Sequence, residues 1–427
     1  MIKSTLFKSS FVVLIARVLG LVFAFSCIYI INVFYSQNIF GVYTVCFTLL
    51  QMFSLISVFG INISVFKEIV ILEDSFEAKK TYSKGLKSVV INSIILTIFS
   101  IAFSKYIAVY IFNKPNIYVY SRIISFGIPF LSISTFNAHI LRAKNKFIHF
   151  QLIISGITFI SFFFLILIIN KILNVNSIDY LIYVYLISVL ITSIYSCFQI
   201  NNLGFNLKQN FNCKDYLLNI KKGFEFLIAQ SSMQFFNWAS IILITVFSTL
   251  NDVANLEVIF RITAISSITL GIINSVSAPT FVKYFKSKDY LKLSKYVSQT
   301  TSYIFVSALP ILLILLIFPK LVLNIFGFNY QSSSLALIFI AIGQFFSAFF
   351  GSVGVLLQMS GNEKTFNKIL GLSLVVLLVL GFLLTPKFKL NGLALAIMVS
   401  TILWNLLSAI VIYKKYNIIS FYIPFKK

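Results

Sequence analysis

The stretch FVVLIARVLGLVFAF, residues 11–25, has the composition of a membrane helix except at Arg17, in its middle. An arginine at the centre of such a helix costs roughly 2.5–3.5 kcal/mol to insert. Each surrounding Leu, Ile, Phe or Val returns about 0.3–0.6 kcal/mol. The run therefore inserts despite its charge, and the guanidinium is expected to face a protein interior or water. Lys3 and Lys8 ahead of the run give it the look of a signal peptide. Arg17 breaks the apolar core, however, and no clean small-x-small site follows, so the run is read as an uncleaved first span.

The same composition repeats outward from that run. Of 427 residues, 59% are hydrophobic and 11% are charged, and the mean hydropathy is +0.97. Soluble domains carry about 25% charged residues. Apolar runs between polar breaks predict about twelve helices, near 6–34, 39–66, 85–112, 117–141, 150–170, 179–200, 223–248, 255–282, 295–318, 332–359, 366–386 and 392–413. Strands of a membrane barrel would be about ten residues long and alternating. The fold class is thus an all-α integral membrane protein.

A formal charge of +23 invites a nucleic-acid reading, and the placement of the charge excludes it. Lys3, Lys8, the 67–87 connection, Arg142, Lys144, Lys146, Lys208 to Lys222, Lys283 to Lys295, Lys364, Lys368 and the 414–427 tail lie on alternate connections and hold 25 of the 34 basic residues. The opposite connections hold Lys114, Lys171, Lys320, Lys387 and Lys389, with Lys105 near a helix end. This asymmetry places both termini in the cytoplasm, and the basic face attracts anionic lipid heads. Four cysteines (Cys27, Cys46, Cys197, Cys213) form no CxxC pair and read as packing residues. His139 and His149 are too isolated for a metal site.

The longest mid-chain polar stretch, residues 201–223, divides the sequence into an N-terminal bundle (1–205), a cytoplasmic linker (206–222) and a C-terminal bundle (223–427). Six helices in each half would make any duplication parallel, and transporters so built bind substrate between their halves. The outward connections are all short, which excludes a large extracytoplasmic domain. Pro129, Pro279 and Pro310 fall inside expected helices, where they either kink the helix and free carbonyls or are ordinary membrane-helix prolines.

Lysine outnumbers arginine 30 to 4, yet Arg17, Arg122 and Arg261 all fall in expected spans. Lysine fills the loops, and arginine stands where a charge must enter the membrane. Arg122, near a helix end, either lines a cavity or snorkels. Glu257 precedes Arg261 by four residues, the favourable acidic-first spacing on a helix. Their pair is either a self-neutralising contact or a proton- or cation-sensitive gate. Glu225 is the other acidic residue near the membrane. Gln230, Gln234 and Asn237 share one helical face and either bond neighbouring helices or line a groove for sugar hydroxyls. No nucleophile–base pair, metal cluster or glycine-rich phosphate loop is present, so the chain is read as a non-enzyme without a cofactor.

Several segments together resemble a known family. ARVLGLVFAF and NIFGVYTVCFTLLQMFSLISVFGINISVFKEI are similar to the opening of bacterial polysaccharide exporters, with Arg17 and Gly20, Phe40-Gly41 and Tyr43, and Phe59-Gly60. IFRITAISSITLGIINSVSAPTFVKYFKSKDYLKLSKYV resembles their eighth helix and the loop after it, carrying Arg261 and Pro279. FPKLVLNIFGFNYQSSSLALIFIAIGQFFSAFFGSVGVLLQMSGNEK resembles the tenth-helix region, with Phe326-Gly327, Tyr330, Gln344 and Ser360-Gly361. The chain departs from the pattern at Ala254 and Leu256, where the family often has Gly and Tyr. The family is the Wzx-type O-antigen and polysaccharide flippases of the multidrug/oligosaccharidyl-lipid/polysaccharide exporter superfamily.

The resemblance implies a MATE-like fold in the bacterial inner membrane. It also implies translocation of an undecaprenyl-pyrophosphate-linked oligosaccharide from the cytoplasmic to the outer leaflet. The partners implied are that lipid-linked oligosaccharide, membrane lipids and polysaccharide polymerase machinery. Arg17, Arg122 and Arg261 would then bind the pyrophosphate, since guanidinium forks match its oxygens. With no nucleotide motif, an H⁺ or Na⁺ gradient is the expected energy source. A drug or organic-cation antiporter of the same superfamily would favour acidic groups in the cavity. A glycan polymerase would carry a large outward loop, and an acyltransferase an intramembrane catalytic histidine.

Overall fold

The computed structural model describes residues 2–72, 75–173, 177–205 and 209–423, and the side chains within them other than those of 2–14, 173, 225, 228–233 and 328. Among the described residues there is no strand, and the helices fall into two units, Met1–Ser231 and Ser232–Lys427.

The first unit begins with α1 (Ile2–Phe34), α2 (Gln37–Val58) and α3 (Ile61–Leu72). Then come α4 (Phe76–Tyr106), running on as a π-turn over Ile107–Ile111, α5 (Ile117–Ile124) and α6 (Gly127–Ala143). After α7 (Phe147–Gln151), a second π-turn, Leu152–Gly156, leads into α8 (Ile157–Leu173) and α9 (Ile178–Asn201). Small polar residues start these helices: the Ser36 hydroxyl accepts from the Ile39 amide at 3.4 Å, and that of Ser75 from the Ala78 amide at 3.2 Å. Val65, Val89, Phe136 and Ile140 are among the side chains that close the core among α3, α4 and α6.

Two of the expected spans in the first unit are interrupted. The 39–66 run breaks at Phe59 (φ 50°) and Gly60 (φ +71°), both left-handed. Gly60 is needed there, because a Cβ would also stand 2.3 Å from the Gly223 carbonyl oxygen. The 117–141 run is α5 followed by α6, bent by 42°. Pro129 is the third residue of α6, where a missing N–H costs no helical bond, so it helps start that helix rather than kink its interior.

The next helix, α10 (Cys213–Phe247), starts inside the expected linker; residues 206–208 of that linker lie outside the described residues. Asn212 and Asp215 cap its first turn reciprocally: the Asp215 amide donates to Asn212 Oδ1 at 2.9 Å, and the Asn212 amide to Asp215 Oδ2 at 3.2 Å. Its first turns are bonded along α4. Lys84 Nζ donates to Asp215 Oδ1 at 2.7 Å, Asn219 Nδ2 to Ser88 Oγ at 2.9 Å, and the Tyr216 hydroxyl to Asn92 Oδ1 at 2.7 Å. A polar segment that reads as a loop is therefore a helix whose polar face meets residues 84, 88 and 92, one turn apart on α4.

In the second unit, α10 is followed by α11 (Leu250–Lys286), α12 (Tyr290–Ile317), α13 (Pro319–Asn324), α14 (Ser334–Phe350), α15 (Val353–Met359) and α16 (Glu363–Tyr416). Pro279 and Pro310 sit inside α11 and α12, which run through them as single helices. The 54 residues of α16 would reach about 80 Å if straight. Its backbone leaves the helical region at Lys389 (φ 50°, ψ −130°), and its two ends meet, with Asn362 Nδ2 donating to the Tyr416 hydroxyl at 2.6 Å. It is therefore a hairpin of two antiparallel helices.

By length and apolarity, nine helices among the described residues can cross a membrane, or ten when α5 and α6 form one span. The expectation of about twelve exceeds that number at two places. Residues 366–386 and 392–413 are merged in α16, and the seventh run lies on α10, whose described apolar part is Gln234–Phe247. The protein is a multi-pass membrane protein.

After α16 the chain turns at Asn417 (φ 54°) and returns across its own unit. Ile418 and Ser420 are buried. The Tyr422 amide donates to the Phe349 carbonyl at 2.9 Å, and the Thr301 hydroxyl to the Ser420 carbonyl at 3.0 Å. The Tyr422 ring stacks on Phe305 with centroids 4.5 Å apart, and Phe421 on Phe349 at 5.8 Å. This strap thus joins α12 to the end of α14.

Candidate functional site

The sequence surrounding Arg17 explains its position. Ala16, Gly20, Ala24 and Cys27 recur at helical spacing and are buried, forming a narrow small-residue stripe on α1. The stripe packs on the segment after α7. A Cβ on Gly20 would stand 2.4 Å from the Ser155 carbonyl oxygen, and Cys27 Sγ donates to the Phe159 carbonyl at 3.3 Å. Arg17 lies beside the stripe and is exposed, with exposed Ile15, Val18 and Leu19 around it. Among the described residues it makes no hydrogen bond or ion pair. Its guanidinium donors are therefore available to a ligand.

The other two intramembrane arginines have local partners. Arg122, exposed on α5, donates from Nη1 to the Tyr118 hydroxyl at 3.3 Å. Arg261 on α11 donates from Nε to Glu257 Oε1 at 2.8 Å, with side chains 29% and 14% exposed. The i,i+4 spacing thus produces the contact expected of it. One edge of the Arg261 guanidinium is engaged by the carboxylate, and its remaining N–H groups make no other described hydrogen bond. Arg17 and Arg122 belong to the first unit and Arg261 to the second.

Of the expected amide face on α10, Gln234 and Asn237 are exposed. The side chains of Gln230 and Glu225 lie outside the described part. Among the described residues no group of three His, Cys, Asp or Glu side chains is arranged to hold a metal ion.

Sequence reasoning missed a polar seam through the first unit. Ser132 on α6 bonds Ser57 and, at 3.1 Å, Ser54, both on α2. Asn92 donates to the Ser57 carbonyl at 3.0 Å and accepts from Tyr216. Further along α6, Asn137 accepts from Tyr82 at 3.1 Å and donates to Ser196 at 3.1 Å. The signal available was the Ser54–Ser57 spacing inside an apolar run, which places both hydroxyls on one face of α2.

Long apolar helices in two units make this a polytopic membrane protein. Over nearly its whole length the chain is similar to an inward-facing multidrug-resistance MATE transporter of the MOP superfamily (TM-score 0.75, 14% identity, 95% of this chain and 98% of that one). It is equally similar to the lipid II flippase MurJ in an inward closed conformation (TM-score 0.75, 17% identity, 97% and 90% covered). A MOP-superfamily transporter from Pyrococcus furiosus whose binding pocket has reversed polarity follows at TM-score 0.64, with 13% identity and 96% of each chain covered. No curated protein matches the sequence. The pattern of the polysaccharide biosynthesis protein family matches residues 6–285, and the chain belongs to that family.

Proposed function

We propose that this protein is a flippase of the bacterial inner membrane. Its cargo is an undecaprenyl-pyrophosphate-linked oligosaccharide, carried from the cytoplasmic to the outer leaflet. The observation that carries the reading is Arg17: a guanidinium in a membrane-spanning helix, without a described partner, in a chain of the polysaccharide biosynthesis family. A pyrophosphate cannot cross hydrocarbon without compensation of its charge, and a guanidinium supplies charge and a matching donor fork together. Arg122 and Arg261 add charge on other helices, and Gln234 and Asn237 offer exposed amides to sugar hydroxyls.

The Glu257–Arg261 pair gives the cycle a switch. An ionised Glu257 competes with the substrate phosphate for Arg261, so protonating Glu257 or pairing it with a cation frees the guanidinium. This provides a route by which an ion gradient drives exposure of the site to one leaflet and then the other.

The test is flipping of lipid-linked oligosaccharide in reconstituted vesicles, followed through its accessibility to an outside probe. Arg17→Ala and Arg261→Ala are expected to slow flipping about tenfold or more, and Glu257→Gln to bind substrate tightly while losing its dependence on the ion gradient. Unchanged flipping in both arginine variants would remove the charge-compensation mechanism. Absence of flipping by the wild-type protein would remove the function.

A further inference from the structure

Charge compensation by Arg17 accounts for the phosphates of the cargo and leaves its first sugar without a named partner. A partner stands at the same level of the first unit: Gln151, the last residue of α7, which is half-buried. Contacts along the two helices set that level. A Cβ on Gly20 would stand 3.0 Å from Ser155 Oγ, and further along α1 Cys27 meets the Phe159 carbonyl. α1 and the segment it packs on therefore run in the same direction. Gln151 lies one turn before Ser155, as Arg17 lies one turn before Gly20, and α1 also packs on α7 itself. Two short contacts, from Gly20 to Ser155 Oγ and from there to Gln151 Nε2, tie the Gln151 amide to the turn of α1 that begins at Arg17.

That amide is held in one orientation. Nε2 donates to Ser155 Oγ at 2.6 Å, and the Ser155 hydroxyl gives its own proton to the Gln151 carbonyl at 3.2 Å. With the nitrogen end committed to Ser155, Oε1 is the free end of the side chain. It accepts no hydrogen bond among the described residues. A glutamine that only braced the π-turn would need its nitrogen end alone, and here a second polar atom is presented without a donor to meet it. Arg17 does not supply that donor, since it makes no hydrogen bond of its own. This level of the helix pair thus offers two groups of opposite sense, a guanidinium that only donates and an amide oxygen that accepts.

We propose that Gln151 is a specificity-determining residue of the flippase: its Oε1 accepts a hydrogen bond from the sugar next to the diphosphate while Arg17 holds a phosphate oxygen. The proposal rests on the flippase reading for the diphosphate. It adds a means of telling a loaded carrier lipid from an empty one. Ionised phosphate oxygens only accept hydrogen bonds, so a bare polyprenyl diphosphate has nothing to give Oε1. Hydroxyl and acylamino N–H groups of a first sugar are donors, and only the loaded lipid brings them. A fixed acceptor built for such a group disfavours the analogue that lacks it, because the acceptor is then left unpaired.

The experiment places the full chain in nanodiscs of phosphatidylcholine. It is titrated separately with undecaprenyl diphosphate and with undecaprenyl-diphospho-N-acetylglucosamine, whose sugar offers both kinds of donor. The readout is the ratio of the two dissociation constants. The wild-type protein should favour the sugar-bearing lipid, and Gln151→Leu should lower that preference about three- to tenfold, the range of one hydrogen bond. Ser155→Ala keeps Gln151 but releases its amide, and should lower the preference by a smaller factor. Arg17→Ala should weaken both lipids and leave their ratio in place. An unchanged ratio in Gln151→Leu, with both lipids weakened in Arg17→Ala, would overturn the role of Gln151 and leave the flippase reading standing. Equal binding of the two lipids by the wild-type protein would overturn that role as well. Binding of neither lipid would overturn both readings.

Discussion

Arg17 and Gly20 sit three residues apart on α1, and the backbone of the second helps hold the first in place. A Cβ at Gly20 would meet the Ser155 carbonyl oxygen at 2.4 Å, a backbone atom that cannot rotate away. Gly20→Ala therefore forces α1 off the π-turn Leu152–Gly156. Overpacking of this kind costs about 1–3 kcal/mol, more than the roughly 1 kcal/mol by which Ala outranks Gly in a helix. Thermal unfolding of the detergent-purified variant should show a lower midpoint than wild type. Gly371→Ala is the matched control, since nothing lies within 4 Å of the added methyl, and its midpoint should stay or rise. The Arg-x-x-Gly pattern thus combines two separate features: the charge proposed above to meet the cargo, and a close approach for the helix that presents it.

Among the elements, the first turns of α10 behave least like their sequence. Lys84 donates to Asp215 and holds its carboxyl below the usual carboxylate range. A depressed carboxylate contributes stability that is complete above its ordinary value, near pH 4, and is lost as pH falls through the lower folded value. Hydrogen exchange of 213–222, taken relative to the intrinsic rate at each pH, should accordingly rise on acidification below about pH 4. In Asp215→Asn the same amides should exchange faster at neutral pH, and the acid-induced rise should shrink.

This element also shows how far the sequence could be read. Apolar runs located most of the spans because lipid demands long uninterrupted apolar helices, and the Glu257–Arg261 contact followed from local geometry alone. The break at Phe59-Gly60 escaped because a left-handed turn leaves hydropathy unchanged. The segment 213–222 escaped because its polar side chains find partners on α4, more than a hundred residues earlier, and a window of local sequence cannot contain them. Arg142 reads as one more positive-inside charge until Phe66, distant in sequence, is seen beneath it together with Phe150.

At the scale of the whole molecule, each unit has its own closure. In the first, the start of α10 is latched to α4 and crosses the Phe59-Gly60 break at Gly223. In the second, the strap over 417–423 joins α12 and α14 through Thr301, Phe305 and Phe349. Stopping the chain after Tyr416 removes the hydrogen bonds and the two stacked aromatic pairs described above that tie the strap to α12 and α14, the pairs worth about 0.5–1.5 kcal/mol each beyond the area they bury. Thr301 is fully buried beneath the strap. A Thr301→Cys thiol should therefore label slowly in the full chain and quickly in the shortened one.

The strap also sets an order of events during synthesis. Residues 417–423 follow every helix they cover, so the rings of Phe305 and Phe349 wait uncovered while the ribosome completes α16. The first unit meets no such delay, since its latch partners have all been made once Ser231 has been added. One half of the protein can thus mature while its gene is still being translated, whereas the other is sealed only once residues 417–423 have followed α16 out of the ribosome.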